Sequence, residues 1–497
     1  MRTTITRGFA TMTIAVGLAA CSAEAPATRL PITSAPAHAP EPAEIPSTTR
    51  SPTPTKAPLK LPETSGKCRV GCDTVKAHDY NGDGYADLAI GAPGPWWEGN
   101  PSTVSGYVIV SYGGADGLTT NRQKLLQPEQ AGQPTASTKG SSFGVSSASG
   151  DFDRDGYADL AVGATPESNL SPAAVTIFFG SKEGLSSRSA VLLEPEDATF
   201  GKLLTAGDFN GDGYQDLGLV TEQSVGVVYG SSRIRQHPPR PRTVKKSSEI
   251  NALAAGDVTG DGIDDLVVAF SDDDPADEGK GAVYRGSSSG LKDVAGHTFD
   301  AWGVQALSVG DVNGDGFGDV IAGNSYADAA DPGGQIYVHR GSPKGLTGKG
   351  VLISQDSRGL LAGSVDGDGF GGYLAVGDIN HDGYADVAVS APAKSAGKGT
   401  AFLLYGGKNR LPDAGAQVIE PDDVLDAQHV QSFGASLQLS DFNNDGRADL
   451  ALAIPTESAV AVLPGSSDGV STTRPTFISP DQGTPPGQDI GFGRSLN

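Results

Sequence analysis

Histidine and cysteine are scarce in this chain, with seven and three in 497 residues. His38 sits in a proline-rich stretch, His78 and His381 adjoin or lie inside acidic loops, and His237, His297, His339 and His429 are scattered. No HExxH pair occurs, and there is no nucleophile elbow, which needs a strand running into a helix. Helical periodicity is absent throughout, which leaves an all-β chain. Basic residues are also in deficit: 36 Lys and Arg stand against 59 Asp and Glu, a net charge of −23. Such a surface argues against strong nucleic-acid binding.

Long apolar runs are missing too. Residues 12–20 form one, after Arg2 and Arg7, but it is too short to span a bilayer and has the form of a signal peptide over residues 1–20. Leu18-Ala19-Ala20-Cys21 resembles the lipobox of bacterial lipoproteins, which implies a lipidated Cys21 as first residue of the mature chain. Residues 21–66 then hold that Cys and a spacer of Pro, Ala, Ser and Thr with too few large apolar side chains to repay the entropy of folding. In a polyproline-like state it would reach about 100 Å from a membrane. Cys68 and Cys72 remain as an even pair, expected to form a local disulfide in an oxidising compartment.

What the chain has in abundance is one acidic nonapeptide, present seven times. Asp208-Phe209-Asn210-Gly211-Asp212-Gly213-Tyr214-Gln215-Asp216 is one copy; the others begin at Asp79, Asp151, Asp257, Asp311, Asp378 and Asp441. Asp recurs at positions 1, 5 and 9 and Gly at position 6. Oxygens at positions 1, 3, 5 and 9, with a backbone carbonyl at 7, can surround one hard cation, and Gly makes the sharp turn. The expected calcium ligands are Asp79, Asn81, Asp83 and Asp87; Asp151, Asp153, Asp155 and Asp159; Asp208, Asn210, Asp212 and Asp216; and Asp257, Thr259, Asp261 and Asp265. The remaining three sets are Asp311, Asn313, Asp315 and Asp319; Asp378, Asn380, Asp382 and Asp386; and Asp441, Asn443, Asp445 and Asp449. Position 12, where an EF-hand places a bidentate Glu, holds Ile90, Val162, Leu219, Val268, Ala322, Val389 and Leu452. The loop therefore runs into an apolar strand and not a helix, and up to seven structural calcium ions are expected.

The loops recur about every 60 residues, which indicates a repeat architecture. Each is followed by a mostly apolar stretch, such as 87–93, and then by a second one ending in Gly, such as 106–113, 174–180, 225–230, 335–341 or 400–406. Continuous apolarity in the first predicts burial on both faces. Eight residues before four of the loops stands a Phe-Gly pair: Phe143-Gly144, Phe200-Gly201, Phe370-Gly371 and Phe433-Gly434, with Trp302-Gly303 in its place nine residues before Asp311. With Gly91-Ala92-Pro93 and Ser390-Ala391-Pro392, this pattern resembles the FG-GAP repeats of the integrin α-chain N-terminal head. The resemblance covers residues 75–497. It implies a seven-bladed β-propeller over residues 67–497, calcium loops between the first two strands of each blade, and ligands on the opposite face. The first loop lacks an upstream Phe-Gly pair, while residues 491–497 carry Phe492-Gly493 with no loop after it, so the C-terminal strand is expected to close the ring as innermost strand of the first blade.

The resemblance implies a cell-envelope-tethered, calcium-stabilised recognition or adhesion module. It would face outward, held to the membrane only by its lipid, and bind a glycan, a wall polymer or a protein. A lyase-type polysaccharide-cleaving propeller and a purely structural envelope component are the alternatives. Trp96 and Trp97, two of the three tryptophans, lie in the connection expected on the ligand face and read either as candidate binding residues or as rings folded down to cap the blade. Arg233, Arg235, Arg240, Arg242, Lys245 and Lys246 form a basic stretch that reads either as a solvated outer edge of the third blade or as an anchor for anionic polymer.

Overall fold

The computed structural model describes residues 75–94, 106–128, 141–166, 173–193, 199–221, 224–246, 249–271, 279–292, 296–326, 332–360, 362–408, 411, 415–426, 428–480 and 491–497. Cys21, Cys68, Cys72, Trp96 and Trp97, with the leader and spacer, lie outside them. The described residues fall within one compact unit, residues 62–497. Apart from single helical turns such as Val75–His78, the regular elements among them are strands.

Seven four-stranded antiparallel sheets follow one another in chain order. The second blade is typical, with Ser141–Gly150 innermost, then Asp159–Pro166, Ala174–Phe179 and Ser186–Leu193. Inner strands of successive blades touch, so the sheets stand radially around a common axis. The second strands are buried on both faces: every residue of Leu88–Ala92, Asp216–Thr221, Asp319–Asn324 and Asp449–Ile454 is buried. The reason is lateral packing. Seven apolar clusters each draw side chains from two neighbouring blades, as where Leu88 and Ile90 of the first meet Ala451, Val460 and Ile478 of the seventh.

That last cluster closes the ring. Ser495–Leu496 pairs antiparallel with Leu88–Ala92, placing Leu496 opposite Ile90 and Ser495 opposite Gly91. Fully buried Phe492 fills the place that Phe143, Phe200, Phe370 and Phe433 fill in other blades. The first blade is thus built from both ends of the propeller, and its inner edge is not left unpaired.

Candidate metal centres

Six of the seven acidic loops join an inner strand to the second strand of the same blade, and the first, after Val75–His78, leads directly into its second strand Leu88–Ala92, so all seven gather at one end of the ring. Each folds around its first carboxylate. Asp79 accepts the amides of Asp83 and Gly84 at 3.1 and 2.9 Å. Asp151, Asp208, Asp257, Asp311, Asp378 and Asp441 take the same two positions in their loops. The carboxylate at position 5 in turn accepts the amide at position 7. Chain reversal at position 6 needs a left-handed residue, and the seven glycines there have φ between 83 and 94°.

Position 9 has a second task. Asp87 accepts the amide of Tyr80 on one oxygen and that of Gly113, at the end of the third strand, on the other, each at 2.9 Å. Asp159, Asp216, Asp265, Asp319, Asp386 and Asp449 likewise each hold one group of their own loop and the amides of Gly180, Gly230, Gly286, Gly341, Gly406 and Gly465. The glycine is required by contact: a Cβ on Gly113 would lie 2.2 Å from the Ala86 carbonyl oxygen. Burial pushes these carboxyls up, Asp87, Asp159 and Asp386 to about 8 and Asp216, Asp265, Asp319 and Asp449 to about 7, against the opposing pull of the amide donors. Burial also raises Asp79, Asp151, Asp311, Asp378 and Asp441 at position 1. Each position-9 oxygen that holds an amide retains a second lone pair for a cation.

The loops are also tied to one another. The carbonyl of Asp79 accepts the amide of Ala158 at 3.0 Å, and the same bond joins Asp151 to Gln215, Asp208 to Asp264, Asp257 to Gly318, Asp311 to Ala385 and Asp378 to Ala448. Ala86 completes the circle by donating to the Asp441 carbonyl at 3.3 Å. These bonds run between main chains, so no residue type announces them. The glycine ending the third strand, by contrast, stands in the sequence as a regular signal.

Position 3 distinguishes the sites. Asn81, Asn210, Asn380 and Asn443 accept the amide of position 5 at 2.8 to 3.0 Å. Asn313 instead donates Nδ2 to Asp319 at 2.9 Å. The two loops without Asn each bury an unpartnered oxygen there, Oδ1 of Asp153 and Oγ1 of Thr259. An orphaned oxygen inside an oxygen-rich loop fits a hard divalent cation. In the second loop the fit is closest: ligand oxygens of Asp151, Asp153 and Asp159 lie within 4.8 Å of one another. Arg235, reaching across from the third blade over the Phe179 ring, bonds Oδ2 of Asp153 and, at 2.6 Å, Oδ2 of Asp155, leaving Asp153 Oδ1 free. Arg122 and Arg285 hold the outer oxygens of Asp83 and Asp261 at 3.0 and 2.9 Å. A calcium ion held by positions 1, 3, 5 and 9 would add positive charge beside the carboxylates at positions 1 and 9, whereas these three arginines pair only with positions 3 and 5.

The basic stretch divides. Arg242–Lys246 is the outer strand of the third blade, Lys245 lies 4.3 Å over the Phe270 ring, and Arg235 is turned onto the second loop. Only Arg233, Arg240 and Arg242 among its described side chains are exposed.

Comparison with known proteins agrees with this geometry. FG-GAP repeats match at residues 74–110, 143–178, 303–339, 370–404 and 433–470, and an FG-GAP-like repeat at 208–268. Integrin alpha-PS2 of Drosophila melanogaster is 27% identical over 356 residues, 66% of this chain and 21% of its own length. Integrin alpha pat-2 of Caenorhabditis elegans is 29% identical over 251 residues, 47% of this chain and 20% of its own. A bovine phosphatidylinositol-glycan-specific phospholipase D is 29% identical over 159 residues, 30% of this chain and 18% of its own. The chain is similar to about a fifth of each. It is a seven-bladed β-propeller of integrin-like FG-GAP repeats.

Proposed function

We propose that this chain is a recognition or adhesion module displayed outside the cell, stiffened by calcium at one end of its ring and binding its ligand at the other. The observation that carries the reading is the placement of all seven acidic loops at one end. It leaves the connections between second and third strands, which emerge at the opposite end, free to vary with the ligand. Cys21 carries the lipid anchor, residues 22–66 hold the propeller away from the membrane, and Cys68 and Cys72 pair. Trp96 and Trp97 belong to the first blade's connection on the ligand side. Calcium is structural: at ten times its Kd each independent site adds about 1.4 kcal/mol.

The test is binding of the full mature chain to arrays of envelope polymers, glycans and extracellular proteins, with calcium or with EDTA. Saturable, calcium-dependent binding is expected. Binding to none of them would overturn the reading in favour of a structural part. Cys21→Ser should move the protein from the membrane fraction to the soluble one, and an unchanged distribution would refute the anchor.

A further inference from the structure

The fifth blade departs from its repeat at a point where five of the others agree. Phe143, Phe200, Phe370, Phe433 and Phe492 are fully buried, whereas Trp302, in the same place, is 46% exposed. The core beneath it is closed by Phe299, Ala301 and Val304 instead. Trp302 precedes the inner strand Val304–Gly310 and Tyr326 follows the second strand Asp319–Asn324, so both stand at the end away from the acidic loop, and Tyr326 is 55% exposed.

Two exposed aromatics alone would mean little, but these are built into place. Fully buried Asn324 donates Nδ2 to the Trp302 carbonyl and accepts the Tyr326 amide on Oδ1, both at 2.9 Å. Where the pairing register shifts between Val304 and Ala306, Gln305 donates Nε2 to the Tyr326 hydroxyl at 2.8 Å and accepts from the Ser325 hydroxyl at 2.6 Å. The Trp302 main chain and the Tyr326 hydroxyl are thereby held beside an amide and a second hydroxyl, all uncharged.

We infer that Trp302 and Tyr326 form a binding platform for a neutral sugar residue, with Gln305 and Ser325 bonding its hydroxyls. This rests on the recognition reading above and names its ligand class. The electron-rich ring faces suit the weakly positive C–H face of a pyranose. Gln305, Ser325 and Tyr326 together offer both donors and acceptors, as sugar hydroxyls do, whereas a proline-rich peptide presents acceptors alone. The side chains bonded into this platform are uncharged among the described residues, so they would not replace the hydration that a charged ligand loses, and an acidic polymer is further disfavoured by the net charge of −23.

The experiment is electrophoresis of the full mature chain through native gels holding soluble dextran, galactomannan or mixed-linkage β-glucan, with polygalacturonate and a proline-rich peptide as counter-probes. Retardation by at least one neutral polymer is expected. It should weaken at least tenfold in Trp302→Ala and in Tyr326→Ala, with melting temperature and its response to EDTA unchanged. If Trp302→Ala melts early, Gln305→Ala and the fluorescence of Trp302 in a Trp96→Phe, Trp97→Phe background replace it as readouts. Undiminished retardation of Gln305→Ala together with unmoved fluorescence overturns the site. Retardation of Trp302→Ala equal to the parent's overturns the site while recognition stands. Response only to polygalacturonate or the peptide, or to no neutral polymer, overturns the ligand class, while recognition is still judged by the array.

Discussion

Deleting residues 491–497 removes the inner strand of the first blade and leaves the edge of Leu88–Ala92 bare. The loss can be worked through. At least three main-chain bonds disappear, from Ala89 to Asn497 and back at 2.6 and 3.0 Å and from Gly493 to Gly91 at 2.9 Å. At about 1 kcal/mol each they amount to roughly 3 kcal/mol. Phe492, fully buried against the first and seventh blades, adds about 3–5 kcal/mol by analogy with other Phe→Ala losses. The total of roughly 6–8 kcal/mol rivals the net stability of a whole domain, about 5–15 kcal/mol. The truncated chain should therefore unfold at much lower urea, and its open edge should pair between molecules and scatter light. Phe492→Ala isolates the packing part and should cost about 3–5 kcal/mol without truncation. A truncated monomer whose urea midpoint matches that of the full chain would refute the closure argument.

Excess EDTA should lower the melting temperature by many degrees, restored by calcium but not by sodium, and an unmoved melt would refute structural calcium. Among the loops, the fourth should fill last in a calcium titration, because Thr259 offers a neutral hydroxyl where the second offers Asp153; early loss of the second site in Asp153→Ala with the fourth unaffected would confirm the order. Asp87→Ala strands the buried amides of Tyr80 and Gly113 at about 1–3 kcal/mol each, so it should destabilise even the chelated protein, and equal melting of the two chelated proteins would contradict the staple. Burial lowers the pKa of His339, packed 4.7 Å from Phe299 between the fourth and fifth blades, although Asp300 opposes the shift. Its neutral form favours the fold, so this contribution is present above the unfolded value near 6.5 and is lost as pH falls through the lowered one. His339→Phe should flatten the decline in urea midpoint between pH 7 and 5, and an unchanged slope would assign that decline elsewhere.

The blade count, the strand after each loop and even the joining of the ends were legible in the residues. Each rests on short-range chemistry that must recur with every blade: a Gly for the left-handed turn, acids for one loop, and an apolar run for a strand buried on both sides. The Gly at the end of the third strand was legible too, but its purpose was not, because the carboxylate that binds its amide lies some twenty residues away in most blades and is brought there only by the sheet. Arg235 is the clearer case. In sequence it belongs to a basic cluster with two plausible roles, and only packing of the third blade against the second sets it on Asp153 and Asp155. Trp302 stands in the sequence in the place of the Phe of other blades, yet its exposure depends on which side chains close the core below it, here Phe299, Ala301 and Val304. Local pattern fixes what each repeat can form. Contacts between repeats, where side chains from distant positions compete for the same volume and the same hydrogen bonds, are decided only when the ring closes.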